Sequence, residues 1–408
     1  MTRPTVTLIF TSDDHGFPYY GFMEPYASLA PVGHPKVLTP RLDALAARGA
    51  LFPYATSTAP KCEHAFQGEL VGKEALDQIK GGTNNLDLSQ EWTWARILRD
   101  VGGYSDVMQC GKYWEGDVLG GGGFTDEYDS GATADHFGRE TVQPALDFLT
   151  AAVTAGRPCA LSAAPRIPHL PFPTPTFPGY ATYRALYDTM DWSTEWLAGW
   201  QSTTWAHNFY GMVSWVDAIY GALEDHLLTL GVLDDTLILF WSDNGFGLKE
   251  SKDTDTHNGR ATPIIAAYPA AFGPCVSERI VSCIDFLPTI LDYAEVVSPT
   301  APLIDALSMR ALCESGGTTP WRLWKPGQWT ISAGRHAYAS DFVRADSTVT
   351  RGILYTDNHN VAKRVYDLGN DTEEAHNLIA TPAGQAFAAK YTPLLRDWEV
   401  SRVPPAIG

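Results

Sequence analysis

The sequence is short of positive charge: 29 Lys and Arg stand against 47 Asp and Glu, a formal net charge of −18. That deficit argues against a nucleic-acid partner, because phosphate backbones are bound by a surplus of Lys and Arg. An anionic substrate must then be captured by a few local cations rather than by the field of the whole surface. Cysteine is scarce too, with six residues in 408 and no C-x-x-C spacing. This excludes a disulfide scaffold and a zinc knuckle, and most of the six are expected to be buried thiols. No run approaches the roughly 18 apolar residues of a membrane helix. The first apolar run, Val6 to Phe10, is too short for a secretory h-region. A soluble, cytoplasmic protein with no membrane partner is expected.

What is present is an ordinary globular composition, 45% hydrophobic and 12% aromatic, in which strand and helix signals alternate. Residues 6–11 read as a strand. A helix follows, with Thr39 as N-cap, Pro40 in its first turn and Gly49 just past Leu42, Leu45 and Ala46. Further helices are expected near residues 91–99, 145–155, 207–230 and 284–294, and strands near 158–163 and 237–241. In the longest helix Val216, Ile219, Leu223 and Leu227 recur at spacings of three and four. Such alternation implies an α/β fold, with a mostly parallel central sheet covered by helices on both faces. After about residue 320 the pattern changes. Residues 352–355 and 364–368 read as an antiparallel hairpin, followed by a helix over 382–399. The expected division is a catalytic domain over 1–320 and a small C-terminal α+β subdomain over 321–408. Trp192, Trp196 and Trp200, four residues apart, would share one helix face, and packing explains them better than a substrate wall.

Two acidic motifs each follow an apolar strand directly: Ser12-Asp13-Asp14-His15-Gly16 and Ser242-Asp243-Asn244-Gly245. Open α/β sheets bind ligands outside the carboxyl ends of their strands. Carboxylates that converge there repel one another unless a cation joins them. Asp13, Asp14, Asp243 and Asn244 are therefore candidate ligands of a divalent cation, and hard oxygen donors favour Ca²⁺, Mg²⁺ or Mn²⁺.

With several further segments, these motifs resemble the sulfatase family of the alkaline-phosphatase superfamily. Ser57-Thr58-Ala59-Pro60-Lys61-Cys62 is similar to the family's approach to its catalytic cysteine, and Gly111-Lys112-Tyr113-Trp114 to its G-K-W-H segment. Pro168-His169-Leu170-Pro171-Phe172 matches the P-H-x-P-F loop, and Tyr366-Asp367-Leu368-Gly369-Asn370-Asp371 the C-terminal signature. The resemblance implies one metal ion, Ca²⁺ in the family, because Asn244 stands where two-metal relatives carry His. It also implies that Lys112 and Lys252, the latter eleven residues before Pro263, bind the sulfate oxygens, and that His169 is the leaving-group acid.

The departure from the family lies at the nucleophile. Its C-x-P-x-R motif reads Cys62-Glu63-His64-Ala65-Phe66 here, and Trp114 replaces a His. Those missing groups direct maturation to formylglycine and serve its aldehyde hydrate. Cys62 is accordingly expected to remain a thiol whose thiolate attacks sulfur or phosphorus, with His64 as a local base. A thiolate ligand would shift the metal preference towards Mn²⁺ or Zn²⁺. The plain reading of Cys62 is a small buried residue heading a helix. The expected activity is metal-dependent hydrolysis of a small anionic ester substrate, a sulfate, phosphate or phosphonate. A catalytically silent anion-binding protein and a sulfuryl or phosphoryl transferase are the alternatives.

Overall fold

Residues 3–29, 36–75, 86–113, 119, 121–128, 139–177, 179–192, 202–245, 251–300, 305–328 and 334–401 are described in the computed structural model. In chain order the strands are β1 (Val6–Ser12), β2 (Ala50–Phe52), β3 (Asp106–Gly111), β4 (Asp126–Tyr128), β5 (Cys159–Ala164), β6 (Thr236–Ser242), β7 (Ile264–Ala267), β8 (Cys275–Val276), β9 (Trp324–Gly327), β10 (His336–Val343), β11 (Val349–Thr356) and β12 (Ala362–Asp367). The helices are α1 (Pro40–Arg48), α2 (Cys62–Val71), α3 (Trp94–Asp100), α4 (Arg139–Thr154), α5 (Tyr180–Ala185), α6 (Thr203–Thr229), α7 (His257–Arg260), α8 (Phe286–Ala294), α9 (Arg310–Glu314) and α10 (Pro382–Ser401).

β1, β5 and β6 are buried at every residue, which is why they read as continuous apolar runs: both faces of the sheet are covered. Alternate side chains serve the two faces. Val6, Leu8 and Phe10 enter a core shared with α1, α4 and α6. Ile9, Leu237, Leu239 and Trp241 enter the opposite core, built with α2, α3 and α8. The sheet order is β4-β3-β5-β1-β6-β7-β2-β8. It is parallel from β4 to β6, and β7 runs antiparallel to both its neighbours. The second sheet, β12-β11-β10-β9, is wholly antiparallel. It packs on α10 through Phe387, Tyr391, Leu395 and Trp398.

The helix expected over 91–99 starts only at Trp94, because the Thr93 hydroxyl accepts the Arg96 amide and ends the extended chain there. α6 starts four residues earlier than expected, capped by Ser202. Trp192 packs against His207 and Tyr210, while Trp196 and Trp200 lie outside the described residues. Among the described residues no helix is long and apolar enough to cross a membrane.

Thr39 occupies the N-cap position of α1, but its hydroxyl donates to Asp43 Oδ1 and accepts from the Gly21 amide. The helix amides of Arg41 and Leu42 go instead to the Asp217 carboxylate, at 3.2 and 2.8 Å, on α6. Asp217→Ala should therefore cost about 2 kcal/mol in urea unfolding near pH 5, the upper end for a lost cap. Burial pushes the Asp217 carboxyl up to about 7, against the two amide bonds that hold it down. A folded-state value above the usual 3.8 gives a stability contribution that is complete below about pH 4 and is lost as pH rises towards 7. Wild type should accordingly lose stability relative to Asp217→Asn across that window.

Candidate active site

The order β3-β5-β1-β6 sets four parallel strands side by side, and each releases a segment with functional groups at its carboxyl end. Ser12 is paired with Ser242, so Asp13 and Asp243 leave the sheet at the same level. The Lys112 amide donates to Ala164 O (2.7 Å) and the Asp13 amide to Ile167 O (3.1 Å). These bonds tie the ends of β3 and β1 to the chain leaving β5, on which His169 lies. Asp14 takes a left-handed conformation, φ 60°, which a short polar residue tolerates. There its amide donates to Asp243 Oδ1 at 2.9 Å.

Cys62, the first residue of α2, approaches from the opposite side of the strand ends. Its sulfur lies 3.5 Å from Asp14 Oδ1 and 3.7 Å from Asp13 Oδ1. The Lys252 ammonium donates to both Asp14 oxygens, at 2.7 and 2.8 Å, and lies 3.1 Å from the Cys62 sulfur. The Lys112 ammonium bonds Asp13 Oδ1 and stands 3.8 Å from Asp243 Oδ2. His169 Nε2 is 3.5 Å from Asp14 Oδ2. Ligand atoms of Asp13, Asp14, Cys62 and His169 all fall within 4.8 Å of one another.

The electrostatics follow from burial. Desolvation raises the Asp13 carboxyl, but Lys112, His169 and Lys252 outweigh it, so its pKa is lowered. Asp243 is pushed up to about 8 by burial and by Asp13, with Lys112 only partly offsetting them. Burial works against the charge on Lys112 and Lys252, yet the surrounding carboxylates hold both ammonium groups above their usual pKa. The Cys62 thiol is pushed well up by burial and then by Asp243 and Asp13. The start of α2 acts in the opposite sense, since a helix N-terminus favours a thiolate.

A divalent cation fits this donor set. Asp243 Oδ2 and Asn244 Oδ1 are buried without a hydrogen-bond partner. The other oxygen of Asp243 is engaged by the Asp14 and Asn244 amides. The Asn244 Nδ2 donates to Asp14 Oδ1 (2.8 Å) and Gly245 O (2.7 Å), which orients the carboxamide. Two oriented, unbonded oxygens beside Asp13 and Asp14 are an oxygen cage for a hard cation.

His64 differs from Cys62 in its position on the helix. It follows Cys62 by two positions on α2, a spacing that sends side chains to different sides of a helix. It is buried. Phe66, by contrast, follows at i+4 on the same side as Cys62. It packs with Cys62 and Ala164, and the Lys112 ammonium stands 5.7 Å from its ring centroid. The helical spacing offered a signal for Phe66. None existed for the bonds that clamp the Lys252 segment to the approach to Cys62: Asp253 N to Pro60 O, and Ser57 N to Arg260 O, both 2.8 Å. Trp114 lies outside the described residues.

The chain is 30% identical over 225 residues to the N-acetylglucosamine-6-O-sulfatase of Bacteroides thetaiotaomicron, a stretch covering 52% of this chain and 38% of that relative. In fold it is similar to yidJ of Bacteroides fragilis, with a TM-score of 0.75, 17% identity and coverage of 98% and 97% of the two chains. It is also similar to a phosphonate monoester hydrolase of Silicibacter pomeroyi, with a TM-score of 0.69, 18% identity and coverage of 98% and 95%. The family profile named Sulfatase matches residues 4–296, a span that contains β1, α2, β3, β5 and β6 with every residue of the cluster, and the chain belongs to the sulfatase family.

Proposed function

We propose that this protein hydrolyses a sulfate monoester of a small molecule, with an unmodified Cys62 as nucleophile. The observation that carries the proposal is a cluster in which the Cys62 sulfur meets Lys252, His169, Asp13 and Asp14, with Lys112 bonded to Asp13. Family membership and the sulfatase relative support sulfate over phosphate. The Phe66 ring beside Cys62 supports a thiol over an aldehyde hydrate, because an apolar ring offers no hydrogen bond to a geminal diol.

Asp13, Asp14, Asp243 and Asn244 would hold the divalent cation, Ca²⁺ by family resemblance, which supplies positive charge to the ester oxygens and offsets the carboxylates around the thiol. Lys112 and Lys252 neutralise the oxygens of the tetrahedral group. Cys62 attacks as the thiolate, its proton having passed to solvent beforehand, and its sulfur bonds to the ester sulfur as the bond to the leaving oxygen breaks. His169 Nδ1 donates to Leu170 O, which leaves Nε2 as the nitrogen that takes up and releases the exchangeable proton. Nε2 gives that proton to the leaving oxygen. It then takes one from the water that attacks the sulfonated cysteine, releasing sulfate as the thiolate departs with its electron pair.

The test is a panel of aryl and sugar sulfates, phosphate monoesters and phosphonate monoesters. Sulfate monoesters should show the highest kcat/KM, and a preference for phosphonates or no turnover at all overturns the proposal. His169→Ala should lose more, up to about 10³-fold, on alkyl than on activated aryl esters, because only a poor leaving group needs the proton. Equal losses on both would remove His169 from that role.

A further inference from the structure

Lys325, on β9 of the small antiparallel sheet, is 1% exposed, and its ammonium pairs at 2.5 Å with Oε1 of Glu74, which is fully buried. A buried ion pair is a weak source of stability, because desolvation offsets the attraction; its attested use is to fix one arrangement over others. What this pair fixes is visible at the other oxygen. Glu74 Oε2 accepts the Thr58 hydroxyl at 2.8 Å, and Thr58 Oγ1 accepts the Ala75 amide at 2.8 Å. Thr58 lies four residues before Cys62, and Glu74 three residues beyond the end of α2. The entrance and the exit of the helix that carries the nucleophile are thus bonded to each other. Lys325 reaches from the second sheet to hold that join.

We propose that Lys325 is a positioning residue for Cys62, acting through Glu74 and Thr58 to set where α2 begins and so where the sulfur stands against Lys252 and Asp14. The inference rests on the reading of Cys62 as nucleophile. Backbone bonds hold the approach on either side of Thr58, through Thr56 N to Val281 O (3.0 Å) and Ser57 N to Arg260 O (2.8 Å) before it and Asp253 N to Pro60 O (2.8 Å) after it. Thr58 is the last side-chain anchor described before Pro60.

Lys325→Met keeps the length and apolar stem of the side chain and removes the charge; Thr58→Val keeps its shape and leaves the ion pair intact. Each should lower kcat on the best sulfate ester at least about tenfold with KM within about twofold, and change the rate at which iodoacetamide alkylates Cys62, read by peptide mass. The double variant should be no worse than the more severe single one, because both act through one chain of contacts. Lys325→Arg should restore part of kcat. Wild-type kcat in either folded single variant overturns the inference, as does a loss confined to KM. Where Lys325→Met fails to fold, Thr58→Val decides. The alkylation rate separates this inference from the proposed function: it reports the placement of the thiol even if Cys62 proves not to be the nucleophile.

Discussion

Cys62→Ala is expected to abolish turnover of every ester the wild type accepts, a loss of at least about 10³-fold in kcat/KM. The substitution is mild for the fold. It removes one atom from a side chain only 2% exposed, and Lys252 keeps both its bonds to Asp14. The change in stability should stay near 1 kcal/mol, and folded protein can be assayed. Cys62→Ser is expected to retain a small fraction of activity, since a hydroxyl in the same field is a weaker nucleophile. Mass measurement of the Cys62 peptide should give the free thiol. Full activity in Cys62→Ala would mean that water attacks the ester directly and that Cys62 only packs against Phe66 and Ala164. A formylglycine mass would mean that maturation proceeds without the proline and arginine of the family motif.

Removal of the divalent cation is the second large effect. Chelation should eliminate turnover and lower the melting temperature, because a ligand present at about 100 times its dissociation constant stabilises the folded chain by about 2.7 kcal/mol. The physical reason lies in the unbonded oxygens of Asp243 and Asn244 and in the Asp243 carboxyl, pushed up to about 8 by burial and by its neighbour Asp13. Asp243→Asn keeps the shape and removes the charge, and should lower the bound cation from one per chain towards zero. Metal analysis of active, purified protein that finds no stoichiometric cation would sink the idea. Lys112→Ala should lose about 10²- to 10³-fold in activity, the usual worth of one preorganised cationic contact. Because its ammonium also bonds Asp13 and faces Asp243, cation binding is expected to respond as well.

Residues 6–11 and 237–241 were legible as strands because their whole surface is buried, a property that apolar run length reports directly. The Asp13-Asp14 and Asp243-Asn244 pairs after them were legible as candidate ligands because a strand end is a local feature and mutual repulsion of carboxylates is general chemistry. His169 was legible from its loop, and Lys112 and Lys252 from motifs of a few residues. For His64 the sequence offered only nearness along the helix, and a spacing of two positions places side chains on different sides of it.

By itself, then, the sequence determined the alternation of strands and helices, the oxygen-donor residues at the ends of β1 and β6 and the absence of the formylglycine signal, all of which are written in short windows. Only the tertiary structure decided that β3, β5, β1 and β6 lie next to one another, and that Phe66 and Lys112 meet beside Cys62. It alone decided that Asp217 rather than Thr39 caps α1, and that Lys325 of the second sheet holds Glu74 and Thr58. Each of these joins residues far apart in the chain, through side chains whose local sequence is indifferent to the partner. Their pairing is set by strand order and by the need of every buried charge for a counter-charge or a hydrogen bond, and neither condition exists until the chain has folded.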